Sequence, residues 1–156
     1  MFGENYQLAF DSSLPDDELD ALTRRDYENS RPAPPHHLHV YATKHNTHIN
    51  LTAPDHNPIL SKSTGNIGFR KSNRGTYDAA FQLSAYMLGQ IYESGLLGKI
   101  KKLEVVLRGF GVGREAVTKA LLGAEGRKLR PCITQVTDTT RLKFGGTRSK
   151  KPRRLG

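Results

Sequence analysis

A chain of 156 residues, 36% of them hydrophobic, is long enough to bury one core and too short for two full-sized domains. Its 24 Lys and Arg against 15 Asp and Glu give a formal charge of +9, which points to a polyanionic partner, nucleic acid before any other. A single cysteine, Cys132, excludes an intrachain disulfide framework and a paired-cysteine zinc module, so it reads as a small buried hydrophobe.

The charge is divided along the chain. Residues 1–35 hold eight acidic and three basic groups, whereas the remaining 121 residues hold 21 basic and seven acidic ones. The acidic segment closes on Arg31-Pro32-Ala33-Pro34-Pro35, where proline rings force extended backbone. Residues 1–35 are therefore expected to form an acidic extension with a Pro-rich linker, 36–140 an α/β domain, and 141–156 a basic tail. That tail carries no acidic residue and is broken by Gly145-Gly146 and Pro152, so it needs a phosphate backbone to order it. The first thirty residues show neither an apolar signal core nor an Arg-rich transit pattern, so a targeting segment is expected to have been removed or to lie elsewhere. The longest uncharged apolar stretch, Ala79 to Tyr92, is 14 residues, short of the ~18 a membrane span requires.

In chain order, Leu38-Val40-Ala42 and Ile49-Leu51-Ala53 alternate with polar residues, Asn50 and Thr52 among them, and predict two half-buried strands joined by a short turn at Asn46-Thr47. Asp55-His56-Asn57-Pro58 is a turn signal before a third strand around Ile59 to Ser63. A glycine-rich loop, Gly65 to Gly75, precedes Thr76, which can cap a helix with Asp78 in its first turn. Ala80, Leu83, Met87 and Ile91 recur at helical spacing until Gly95 stops it. Leu103, Val105 and Leu107 predict a strand that runs through Gly109, Gly111 and Gly113 into a second helix bearing Val117, Ala120 and Leu121. A last strand falls near Ile133 to Thr137. The order is ββββαβαβ or one strand fewer, which calls for a mixed sheet of about five strands flanked by helices, with extended tails at both ends.

Two loops carry the chemistry. In Arg108-Gly109-Phe110-Gly111-Val112-Gly113-Arg114-Glu115 the glycines would let backbone N–H groups approach an anion at a helix N-terminus, or would merely make a tight turn. No Lys-Ser or Lys-Thr follows the last glycine, so this is not a nucleotide-triphosphate loop, although a phosphate-handling enzyme built on Gly109 to Gly113 stands as the alternative function. Gly68-Phe69-Arg70-Lys71-Ser72-Asn73-Arg74-Gly75 interleaves an aromatic with three cations. Phe69 could stack on a base or pack inward, while Arg70, Lys71, Arg74 and Ser72 suit phosphates. Six histidines crowd the first strands but lack the spacing of a zinc site, and the scattered carboxylates do not form a two-metal nuclease set, so neither metal nor cofactor is expected.

Taken together, His39-Val40-Tyr41-Ala42, Asn46-Thr47, Gly68-Phe69-Arg70, Thr76 with Ala79-Ala80, Leu103-Glu104-Val105, the Gly109 to Glu115 loop, Ile133-Thr134, Val136-Thr137-Asp138-Thr139-Thr140 and the basic Arg148 to Arg154 end resemble the universal small-subunit ribosomal protein eleven family, over about residues 38–154. The resemblance implies a structural, non-enzymatic protein bound to small-subunit rRNA on the platform beside the messenger exit, with no small-molecule substrate. Position by position it implies rRNA contacts at Asn46 and Thr47, at Phe69, Arg70, Lys71, Ser72, Arg74 and Thr76, at Arg108, Gly109, Gly111, Gly113 and Arg114, and at Arg148, Lys150, Lys151, Arg153 and Arg154. Where the family has prolines in its glycine loop, this chain has Phe110 and Val112. An acidic extension over residues 1–35, in place of a short basic tail, suggests docking on a neighbouring protein. Such divergence points to a mitochondrial ribosome, with a bacterial cytoplasm or another organelle as the alternative. A protein that only bridges other proteins through its acidic arm would need that arm, and not the tail, for assembly.

Overall fold

The structure is a computed structural model and describes residues 34–151; the acidic segment up to residue 33 and residues 152–156, including Arg153 and Arg154, lie outside the described residues. Five strands and two α-helices follow in the order βββαβαβ: β1 (His36–Ala42), β2 (Thr47–Thr52), β3 (Pro58–Ser63), α1 (Tyr77–Glu93), β4 (Leu103–Arg108), α2 (Val112–Leu122) and β5 (Ile133–Asp138). This is the shorter of the two expected orders. The strands form one mixed sheet in the order β3-β2-β1-β4-β5. The meander β1-β2-β3 is antiparallel, and β4 and β5 add in parallel after helical crossovers.

Alternation decides what each sheet face meets. Leu38 and Val40 of β1, Ile49 and Leu51 of β2 and Leu103, Val105 and Leu107 of β4 turn one way and bury in a single cluster with Leu83, Met87, Ile91, Val117 and Leu121 of the helices. In α1 the buried positions Ala79, Ala80, Leu83, Ser84, Met87, Leu88 and Ile91 keep the three-and-four spacing of one helix stripe. Its start is fixed by Thr76, whose hydroxyl accepts from Ala79 N at 3.2 Å. Its end is fixed by Ser94 and by Gly95, which takes the left-handed conformation at φ 67°. At the end of α2, Arg130 reaches back: Nε donates to Leu121 O at 3.3 Å and a terminal nitrogen to Gly123 O at 2.8 Å, with Leu122 O as a further acceptor. No helix among the described residues is long and apolar enough to cross a membrane.

The opposite face, which no helix covers among the described residues, presents His37, His39 and Tyr41 from β1 beside His48 and Asn50 from β2 and Glu104 and Arg108 from β4. His37 stacks on His39 and on His56, with ring centroids 5.8 and 5.0 Å apart, and its Nε2 lies 3.7 Å from Glu104 Oε2.

Three sequence expectations need adjustment. The second strand stops at Thr52, because Ala53 N already bonds Asn57 O at 2.9 Å to begin the turn. Thr52, read as an outward polar residue, is 4% exposed: its hydroxyl meets His37 O at 3.4 Å, and it shares a groove with His56. Cys132 is only half-buried, since it ends a short 3-10 turn that feeds the edge strand β5.

Candidate nucleic-acid interface

Strand register gathers the singled-out loops at one end of the sheet. Ala42 faces Thr47 across the β1–β2 turn, Tyr41 faces Arg108, and Leu107 faces Asp138, so β1, β4 and β5 all finish on this side. His48 faces Ser63, so the chain leaving β3 toward Phe69 to Thr76 departs from the same side. Segments separated by more than sixty residues in sequence thereby share one rim, the place where open α/β sheets commonly carry ligands.

Asn46 organises the β1–β2 turn. Thr43 N and Oγ1 both donate to Asn46 O at 2.9 Å, and Asn46 N donates back to Thr43 Oγ1 at 3.1 Å. The Asn46 side-chain oxygen accepts from Thr47 N at 3.0 Å and from the Thr64 hydroxyl, stitching the turn to the segment after β3. Thr47 is 1% exposed, so its side chain faces the interior.

The three glycines of the second loop are explained by close packing. Gly109 has φ +84°, and a Cβ there would fall against Ala42 O; at Gly111 it would fall against Thr43 O; at Gly113 it would fall against the Thr47 hydroxyl. Gly109 N donates to Thr140 Oγ1 at 3.0 Å and Gly111 N to Ala42 O at 3.1 Å, so these two loop amides are already bonded inside the protein. Arg114 is likewise engaged: it donates to Gly109 O at 3.2 Å and pairs with Asp138 at 2.8 Å. The Asp138 carboxyl accepts from the Thr140 hydroxyl at 2.6 Å and the Thr140 N–H at 2.8 Å. Those bonds, with Arg114 behind them, lower its pKa from 3.8 to about 2.

The Phe69 to Thr76 loop turns at Gly68, φ +101°, and packs on the β1–β2 turn through Gly75, where a Cβ would lie 2.6 Å from Lys44 O. Phe69 is half-buried, while Arg70, Lys71, Ser72 and Arg74 are exposed. Arg74 Nε donates to Phe69 O at 3.1 Å, which holds that guanidinium over the loop. The exposed Thr76 uses its hydroxyl twice, as acceptor for Ala79 N and as donor to Asn73 O at 2.9 Å. Arg148, Lys150 and Lys151 are exposed in a tail without regular structure.

Three ion pairs occur among the described residues, His37–Glu104, Arg114–Asp138 and Lys119–Glu115, and none of them engages Arg70, Lys71, Arg74 or Arg108. The rim therefore carries positive charge that the described residues do not neutralise, on side chains long enough to reach phosphates. No group of three His, Cys, Asp or Glu among the described residues is placed to hold a metal ion.

Sequence reasoning did not single out an open groove of about 590 Å³ on this rim, lined by Tyr41, Lys44, Arg108, Phe110, Val112 and Arg141. A signal for it existed: an aromatic between two glycines beside an arginine has no core to enter if the glycines are pinned. Nor was the Asp138 clamp foreseen, although Thr-Asp-Thr-Thr after a strand is a pattern in which an aspartate bonds the backbone two residues on.

The ribosomal protein S11 family model matches residues 37–154. A small ribosomal subunit protein uS11m of Neurospora crassa is 62% identical over 122 residues, covering 78% of this chain and 32% of that protein. The uS11m protein of Schizosaccharomyces pombe is 43% identical over 121 residues, 78% of this chain and 53% of that protein. The chain thus spans about a third and about half of these two fungal relatives. A small ribosomal subunit protein uS11 of Thermotoga maritima is 38% identical over 118 residues, 76% of this chain and 84% of that protein. The match begins one residue into β1 and runs through every strand, both helices and the basic tail, so the chain belongs to the ribosomal protein S11 family.

Proposed function

We propose that this chain is a structural constituent of the small subunit of the mitochondrial ribosome, where it holds rRNA at the platform beside the messenger exit and catalyses nothing. The carrying observation is the convergence of the Phe69 to Arg74 loop, Arg108 and the start of the basic tail on one sheet end, with their cations unpaired by carboxylates of the described residues. The names of the fungal and bacterial relatives support the ribosomal role, and the two fungal names support the mitochondrial setting.

Within this reading Arg70, Lys71, Arg74, Arg108, Arg148, Lys150 and Lys151 take phosphates, as do Arg153 and Arg154, which lie outside the described residues. Asn46, Thr47, Thr76, Gly109, Gly111, Gly113 and Arg114 act mainly by fixing the shape of the loops, while Phe69 anchors its own. The acidic residues 1–35 meet a neighbouring ribosomal protein, because their charge is repelled by RNA. Messenger RNA passes nearby.

The test is binding of the chain to small-subunit rRNA across a salt series. Six phosphate contacts would lower affinity on the order of a thousandfold between low and moderate salt. A flat response, or failure of the protein to sediment with small subunits of isolated mitochondria, rejects the reading.

A further inference from the structure

Phe110 is 76% exposed, an unusual place for a phenyl ring on a polar rim. Its neighbours explain why it cannot withdraw. Gly109 and Gly111 are held against Ala42 and Thr43 so closely that neither tolerates a Cβ, and Gly111 N is bonded to Ala42 O at 3.1 Å. The backbone on both sides of the ring is therefore fixed, and the ring is aimed outward.

One side of that ring is already supported. The Arg114 guanidinium lies 5.2 Å from the ring centroid, held in place by Asp138 at 2.8 Å and Gly109 O at 3.2 Å. Phe110 also borders two separate grooves. Arg114 lines one of them, and the other contains Lys44, Arg108 and Arg141 with no carboxylate among its lining residues. A preorganised aromatic face beside three cations in an open groove of about 590 Å³ matches the chemistry of a nucleotide: a flat π-surface with phosphates close by. Bases inside a duplex have both faces stacked and cannot reach it, so the occupant is unpaired.

We propose that Phe110 is the stacking platform for one unpaired nucleobase of the bound RNA, whose flanking phosphates sit on Lys44 and Arg141. Arg108, its guanidinium 4.6 Å over the Tyr41 ring, forms part of the groove wall and adds its charge to theirs. The inference rests on the RNA-binding reading above and adds base stacking to what would otherwise be phosphate contact alone.

The full chain would be titrated with two RNAs of equal length, a hairpin with a single 2-aminopurine in its loop and a fully paired duplex, while 2-aminopurine fluorescence and anisotropy are followed. Stacking predicts a fluorescence change on binding the hairpin. Phe110→Ala should abolish that change and weaken hairpin binding roughly 5- to 100-fold. It should leave duplex affinity and the slope of log K against log salt unaltered, and Phe110→Tyr should behave as the parent. Because Phe110 is exposed, the melting temperature of Phe110→Ala should match the parent and shows that the variant is folded. Equal affinity of Phe110→Ala for the hairpin, or an equal loss on both RNAs, overturns the proposal while leaving RNA binding intact. Loss of incorporation into small subunits by Phe110→Ala without any fluorescence difference assigns the ring to a protein neighbour and overturns it as well. Absence of binding by the parent to either RNA, at low salt, overturns the RNA reading and this inference with it.

Discussion

Arg114, in the first turn of α2, and Asp138, the last residue of β5, are joined by a 2.8 Å ion pair that closes the glycine loop onto the neighbouring strand. The arginine also holds Gly109 O and lies over Phe110, and the aspartate also accepts twice from Thr140. An arginine that the sequence offers as a phosphate contact thus also holds the loop's shape.

This pairing makes stability depend on acid. The Asp138 carboxyl is lowered to about 2, by Thr140 first and Arg114 after it, from an ordinary value of 3.8. A depressed carboxyl contributes stability that is complete above 3.8 and is lost as pH falls toward about 2. Thermal unfolding between pH 5 and pH 2 should show a steeper decline for the parent than for Asp138→Asn, and Asp138→Asn should be the less stable protein at pH 7. Parallel curves would show that the ion pair contributes nothing.

Glycine replacements should separate by sign. Gly113→Ala places a methyl into the buried Thr47 side chain and should cost about 1–3 kcal/mol. Gly89, inside α1 with nothing near its Cβ position, should gain roughly 0.5–1 kcal/mol on replacement by alanine. Urea unfolding of the two variants checks both directions.

Histidine in β1 should add a second pH effect near neutrality. Burial first, and then the charges of His37 and His56, lower the pKa of His39, with Glu104 acting in the opposite sense. His36 is lowered by burial and then by His37. A histidine with a depressed value is fully accommodated above 6.5 and opposes folding as pH falls below it. Stability should therefore decline from pH 7 toward pH 5, and His39→Gln should flatten that decline. A decline of unchanged steepness in His39→Gln would remove His39 from the account.

Arg130→Ala should cost about 1–2 kcal/mol, since three carbonyls at the end of α2 lose a charged donor. Arg130→Lys should recover part of this through its charge. Hydrogen exchange at the end of α2 should accelerate in the alanine variant and partly recover in the lysine variant.

Replacing Arg70 and Lys71 together with alanine should reduce the salt slope of rRNA binding by about two. Melting temperature should not change, because both side chains are exposed and without ion pairs among the described residues. Arg114→Ala should do the opposite, lowering the melting temperature more than the slope.

Periodicity carried most of the fold. Alternation at Leu38-Val40 and Ile49-Leu51 and the stripe from Ala80 to Ile91 are local consequences of burial on one face, so each is legible without knowing its partner. Strand ends were less so: whether Ala53 belongs to β2 depends on a bond to Asn57 that the alternation cannot reveal. The rim loops were visible as glycines and cations, but their division of labour was not. Gly113 faces Thr47, more than sixty residues earlier, and Arg114 faces Asp138, so shape-holding and outward-facing residues became distinguishable only once register had been set.

The central place of β1 between β2 and β4 has a consequence for how the chain matures. The meander of β1 to β3 can pair as it leaves the ribosome that makes it, through local antiparallel turns. The other edge of β1 stays bare until β4 has been synthesised and α1 has carried it across. A nascent chain halted in that interval exposes an unsatisfied strand edge next to a half-built apolar layer, the kind of species that aggregates or is held by chaperones.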